Sequence, residues 1–250
     1  MSLVSAEILK LVRRRGTMAW CAILTIGSVL IAYVILISLH AANPAHHGPA
    51  GGRENLKNLI FLLGGLANVA AILIGSAAGS QDVSSGVFRE LVVTGRPRGT
   101  LFNVRLPGAL AVLLPLVATG FGIAVLGAFA LAGDRPHPTG SEIWHDAAYV
   151  LSITSVDVAL AIGLAAFASS RVVVGVLIAW NAIVSHLLIS ITSLGGARKF
   201  IDVAAAQHFL PPGVNDRVIP MSGVTAVVIL LVWAAVFQRA GRWWVLRRDA

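Results

Sequence analysis

The chain has 250 residues, of which 57% are hydrophobic and only 12% are charged, and its mean hydropathy is +0.84. A soluble globular chain has about 25% charged residues, so the composition excludes a single soluble domain. Disorder requires low hydrophobicity with high charge, and a disulfide scaffold requires more cysteines than Cys21 alone. The composition therefore indicates a membrane protein.

Six apolar runs have the length of transmembrane helices, since hydrocarbon about 30 Å thick needs about 20 helical residues. They cover residues 18–39, 58–80, 107–132, 147–168, 172–194 and 222–237. Backbone groups in lipid must be paired within their own segment, and the alternating pattern of barrel strands is missing. The sequence predicts an all-α membrane protein with six transmembrane helices in a single domain, 1–250. The first run is longer than the apolar part of a signal peptide and is interpreted as a retained helix.

The basic residues predict the orientation of these helices. The chain has 19 basic and 11 acidic residues, a net charge of +8. With six spans both termini share one side, and the segments on that side carry thirteen basic residues against six on the other. The positive-inside rule then predicts both termini in the cytoplasm. We interpret the basic excess as contact with membrane lipids and expect no nucleic acid as a partner.

Residues 2–15 precede the first span and predict an amphipathic helix. Val4, Ile8 and Leu11 recur at helical spacing, while Glu7 and Lys10 fall elsewhere around the helix. Such a helix would lie in the inner interface of the membrane. The alternative is a polar extension that only follows the positive-inside rule.

Residues 81–106 form a cytoplasmic connection much longer than two helices need. Ser84 or Ser85 can cap a short helix with an apolar face, and Gly95 followed by Pro97 would end it. A free helix of about ten residues is unstable in water, so its apolar face must be covered. The pattern leaves open whether the membrane surface or a partner protein covers it.

Residues 195–221, between the last two spans, are too apolar for a free outer loop. Pro211, Pro212 and Gly213 interrupt the segment, so it cannot cross the membrane. One interpretation is a re-entrant-like segment of one or two short helices that dips into the outer leaflet against protein. The alternative is a cap on the outer surface.

Asp157 is the only acidic residue inside a predicted span, and a buried carboxylate must face the interior of the bundle. Counting 1.5 Å per residue places Asn68 and His186 at nearly the same depth. The three residues could form a polar patch on a transport path, with Asp157 as a protonation switch or a contact for a cationic substrate. They could equally form a hydrogen-bond network that only fixes helix packing.

The arrangement of these features resembles the permease subunits of type 2 ATP-binding-cassette exporters. The residues that carry the resemblance are AEILKLVRRR before the first span, and GVFREL followed by TGR between the second and third spans. The resemblance implies that Phe88, Arg89, Glu90 and Leu91 belong to a coupling helix that docks on an ATPase subunit. It also implies a second permease subunit, either another copy or a paralogue, and a re-entrant-like segment before the last span.

The sequence contains no GxxxxGK[ST] loop and no GxSxG or HExxH motif, so we expect no catalysis by this chain. By resemblance, a separate ATPase subunit would hold ATP and magnesium, and this chain would hold no cofactor. We expect a permease that exports a drug, an antimicrobial peptide or a lipid-like molecule across a bacterial cytoplasmic membrane. The alternatives are a carrier or channel driven by an ion gradient, and a membrane subunit that transports nothing.

Overall fold

A computed structural model of the chain describes residues 2–84, 95, 97–214 and 219–247. All regular elements within these ranges are helical. Six of the helices are long and apolar enough to cross a membrane. The predicted all-α class and the predicted number of spans are therefore confirmed.

The helices are α1 (Leu3–Val12), α2 (Arg15–Ala42), α3 (Arg53–Ser84), α4 (Arg98–Asn103), α5 (Arg105–Ala130), α6 (Gly140–Ala165), α7 (Ser170–Ser190), α8 (Asp202–Gln207) and α9 (Gly223–Arg247). The six candidate spans are α2, α3, α5, α6, α7 and α9, where α5 continues directly from α4. A 3-10 segment, Thr192–Phe200, connects α7 to α8. Two spans contain a π-helical turn, Ile23–Gly27 in α2 and Trp180–Val184 in α7.

The ends of two helices differ from the predicted spans for two different reasons. α6 begins at Gly140, before the predicted 147, because Thr139 and Glu142 form a capping box that starts the helix outside the apolar run. α7 ends at Ser190, before the predicted 194, because Ile191 adopts extended backbone angles. Hydropathy alone does not register either signal.

α3 packs most extensively against α6, through a row of small residues. A β-carbon at Gly75 would lie 2.7 Å from Cβ of Ala161, and one at Gly79 would lie 2.5 Å from Cβ of Ala165. Both glycines therefore allow the two backbones to approach closely. α3 is the most buried of the six candidate spans, and the core of the molecule lies around it.

α1 covers Leu3–Val12, and the side chain of Ser2 caps it by accepting a hydrogen bond from the backbone N–H of Ser5 at 3.2 Å. Leu11 is buried, and Glu7 lies against Gly108 near the start of α5. The predicted helix therefore exists, although it ends before the predicted residue 15. The residues assigned to the coupling helix, Phe88, Arg89, Glu90 and Leu91, lie outside the described part of the chain.

Candidate functional site

A cavity of about 510 Å³ lies between α3, α6, α7 and α8, with Leu230 of α9 also on its wall. Small-molecule sites in proteins typically measure 300–1,000 Å³ and have apolar walls with a few polar groups. This cavity has both kinds of lining. The polar lining side chains are Asn68, Tyr149, Asp157, Asn181, His186, Asp202 and Gln207.

Asp157 and Asn68 form a direct contact between α6 and α3. Asn68 donates a hydrogen bond from Nδ2 to Oδ2 of Asp157 at 2.6 Å. Asn181 of α7 in turn donates from Nδ2 to Oδ1 of Asn68 at 3.3 Å. The amide of Asn68 therefore lies between two spans, and Asp157 is only 3% exposed.

His186 lines the same cavity, so the structure brings together all three polar residues that the depth calculation identified. Its ring nitrogens lie 3.4 Å from Oγ of Ser185 and 3.4 Å from Nε2 of Gln207. The cavity lining therefore contains two polar groups, the network of Asp157, Asn68 and Asn181 and the pair of His186 and Gln207.

Asp202 is a second buried carboxyl group in the cavity, at the first residue of α8. It is 3% exposed, and it accepts a hydrogen bond from Nε1 of Trp180 at 2.9 Å. Burial raises the pKa of Asp202, while the hydrogen bond from Trp180 acts in the opposite direction.

The segment between α7 and α8 is held against α9 by a second tryptophan. Trp233 of α9 donates from Nε1 to the carbonyl oxygen of Phe200 at 2.8 Å. Ala205 and Ala206 of α8 pack into a cluster with apolar residues of α6 and α9. Five of the six residues of α8 are therefore buried against the neighbouring helices.

The π-helical turn of α7 lies directly at the cavity. It begins at Trp180 and includes Asn181 and Ala182, all three of which contact either the cavity or its acid Asp202. A π-helical turn changes the direction in which successive side chains point, and such turns occur frequently at functional sites. Here the turn allows Trp180 to reach α8 while Asn181 reaches α3.

Sequence reasoning missed Asp202, Asn181, Gln207 and Tyr149 as members of the site. Asp202 lies in the segment 195–221, which the depth calculation along the predicted spans does not cover. The signal that could have identified it is its apolar context, since Phe200, Ile201 and Val203 surround one carboxyl group. A charged residue in such a run must be buried with partners or lie at an interface.

A smaller cavity, of about 190 Å³, lies at the end of the bundle where α3 and α6 begin. Arg53 and Glu142 form an ion pair on its wall, and Asp146 also lines it. Its described lining includes two basic side chains, Arg53 and Lys57, and two acidic ones, Glu142 and Asp146, whereas the described lining of the larger cavity has two acids and no lysine or arginine. The larger cavity is therefore the candidate functional site.

No protein-family model matches the chain, and no curated protein matches it. The functional conclusion is therefore drawn from the sequence pattern and from the geometry of the cavity.

Proposed function

We propose that the chain is the permease subunit of an ATP-driven exporter of the type 2 ATP-binding-cassette class, which moves a hydrophobic or amphipathic substrate. The observation that supports this most directly is a cavity of small-molecule size among helices long enough to cross a membrane. The host membrane would be a bacterial cytoplasmic membrane, with both termini on the cytoplasmic side, in line with the distribution of basic residues.

ATP hydrolysis would take place on a separate ATPase subunit that holds ATP and magnesium, because this sequence has no phosphate-binding loop of the GxxxxGK[ST] type. Phe88, Arg89, Glu90 and Leu91 would dock on that subunit. The assembly would contain two ATPase subunits and two permease subunits, the second permease being a copy of this chain or a paralogue.

The helices at the base of the docking connection support such a coupling. Arg105 is fully buried, and its Nη1 donates to the carbonyl oxygen of Gly79 at 2.7 Å, which joins the start of α5 to α3. Gly99 of α4 lies against Arg242 near the end of α9. A displacement of the connection would therefore reach three spanning helices.

Two further parts of the chain agree with this function. α1 would lie in the inner membrane interface, since its residues alternate between the bundle and the surface. The segment from Thr192–Phe200 through α8 would be the re-entrant-like part of the exporter, and the burial of Asp202 and Gln207 supports that interpretation.

The test is to purify the tagged chain from its own membranes in mild detergent. We expect a vanadate-sensitive ATPase subunit to co-purify, and Phe88→Ala to lose most of it, since loss of a buried aromatic at an interface commonly costs about 2 kcal/mol or more. Phe129→Ala is the matched control, because Phe129 lies near the end of α5 that is far from the docking connection. This variant should still co-purify the ATPase subunit. Equal recovery and equal ATP hydrolysis with Phe88→Ala would contradict the proposed docking.

A carrier driven by an ion gradient is the second candidate, and one observation favours it. Such a carrier needs more than one ionisable group in the membrane interior, and Asp202 joins Asp157 in the cavity. Transport into vesicles without ATP, abolished by a protonophore, would identify this function. Transport that requires ATP and the ATPase subunit would exclude it.

A further inference from the structure

The cavity between α3, α6, α7 and α8 has an uneven charge distribution. Its lining contains the two carboxyl groups of Asp157 and Asp202, and no lysine or arginine occurs among the described residues that line it. Among the described lining residues, His186 is the only one of a basic type. The cavity is therefore suited to accept positive charge from a ligand.

The carboxyl group of Asp157 can accept more hydrogen bonds than the described side chains donate to it. Asn68 donates to Oδ2 of Asp157, and no hydrogen bond from a described residue reaches Oδ1 of the same carboxyl group. Since Asp157 is 97% buried and lines the cavity, this oxygen is available to a donor inside it. A buried carboxylate with an unused oxygen is costly unless a ligand or a proton satisfies it.

The apolar part of the cavity wall indicates that the ligand also has an apolar part. Apolar side chains from four helices and the adjoining outer segment line the cavity; they include Phe61, Ile153, Val156, Ile178, Leu210 and Leu230. A bare inorganic cation would leave these walls without contacts. In addition, no three His, Cys, Asp or Glu side chains among the described residues lie close enough together to hold a metal ion.

We infer that the cavity binds an organic ammonium ion with an apolar body, whose charged nitrogen lies between the carboxyl groups of Asp157 and Asp202. The ammonium N–H groups would donate to these carboxyl oxygens, and the apolar body would contact the aliphatic and aromatic wall. The inference deepens the proposed function, because it names the substrate class of the exporter.

The experiment uses two fluorescent probes that differ only in charge. Dansylcadaverine carries a primary ammonium group, and its N-acetyl derivative is neutral with nearly the same apolar body. The purified full chain is placed in nanodiscs of phosphatidylcholine, which has no net charge, and binding is followed by dansyl fluorescence. We expect dansylcadaverine to bind at least tenfold more tightly than the acetylated probe. Equal affinities would overturn the inference.

Substitutions of the two aspartates test whether the ammonium group of the probe binds between them. Asp157→Asn and Asp202→Asn should each weaken dansylcadaverine at least fivefold and leave the acetylated probe within twofold. Asp146→Asn is the matched control, because Asp146 is a buried acid of the same helix α6 that lies outside this cavity. Wild-type affinity in both variants, or an equal loss in the control, would contradict the proposed contacts.

A third variant covers the case in which the aspartate variants do not fold. Ala182 lines the cavity and is exposed, so Ala182→Trp should fill the opening without disturbing the packed interior. We expect it to weaken both probes, and unchanged binding would mean that they bind elsewhere. The binding assay contains neither ATPase nor nucleotide, so a negative result would contradict the cation site alone. Failure to co-purify an ATPase would instead contradict the proposed exporter function and would not affect the cation site.

Discussion

Trp180 and Asp202 join the middle of a spanning helix to a short helix that does not span, through a hydrogen bond of 2.9 Å from Nε1 to Oδ1. The bond begins where α7 widens into its π-helical turn. It fixes a buried carboxyl group at the wall of the cavity, and therefore couples the position of α8 to the geometry of α7.

Trp180→Phe should destabilise the folded protein. The phenyl ring keeps most of the apolar contact but removes the N–H donor, which leaves the buried carboxyl group of Asp202 short of one partner. We expect a loss of about 1–3 kcal/mol in the free energy of unfolding, measured as a lower melting temperature in detergent. Trp144→Phe is the matched control, because Trp144 is 78% exposed. A melting temperature as high as that of the control would contradict the structural role of the bond.

The pH dependence of stability should change in Asp202→Asn. Burial raises the pKa of Asp202 above its ordinary value of 3.8, so the folded state holds the proton more tightly than the unfolded state. Stability should therefore fall as the pH rises from about 4 through the raised pKa, and the asparagine variant should lack this part of the fall. Melting temperatures of both proteins across that range provide the measurement. Asp157, Tyr149 and His186 line the same cavity and remain in both proteins; parallel curves would exclude a titrating Asp202.

Depth along a helix could be predicted from the sequence, since each residue advances 1.5 Å. Residue counting therefore predicts nearly the same depth for Asn68, Asp157 and His186, and all three line one cavity. The direction in which each side chain points could not be predicted in α7, because the π-helical turn at Trp180 alters the rotation after it.

Asp202 could not be predicted as a member of the site for a different reason. Residue counting gives no depth for a segment that does not cross the membrane. The position of α8 depends on contacts between residues far apart in sequence, such as the bond from Trp233 to Phe200. Such contacts leave no periodic pattern in the chain.

Because α3 and α6 approach each other closely, a larger side chain at Gly79 should strongly destabilise the protein. In Gly79→Leu the new β-carbon would lie 2.5 Å from Cβ of Ala165 and 2.8 Å from the carbonyl oxygen of Ile162, so the helices must separate. Overpacking of this kind costs about 1–3 kcal/mol. Gly65→Leu, on the same helix with open space at its β-carbon, is the control. Equal melting temperatures for the two variants would contradict the packing seam.

The orientation of the chain can be measured with single cysteines in a Cys21→Ala background. Ala45 lies in the connection before α3, and Thr100 lies in the short helix α4, which follows the connection after α3. Both residues are exposed, so substitution should disturb little. With both termini in the cytoplasm, a membrane-impermeant maleimide should label Ala45→Cys in intact cells and Thr100→Cys only after permeabilisation. The reverse pattern would invert the predicted orientation.

Asp157→Asn separates a packing role from a role in transport. The amide keeps the size of the side chain but removes a charge whose burial costs about 2.5 kcal/mol or more. We therefore expect the variant to melt no lower than the wild type, while export of dansylcadaverine from vesicles falls at least fivefold. Ser155→Ala is the control on the same helix, because the Ser155 hydroxyl donates to the carbonyl oxygen of Leu151 within α6, at 2.7 Å. Normal export by a fully assembled Asp157→Asn variant would leave this residue with the packing role alone.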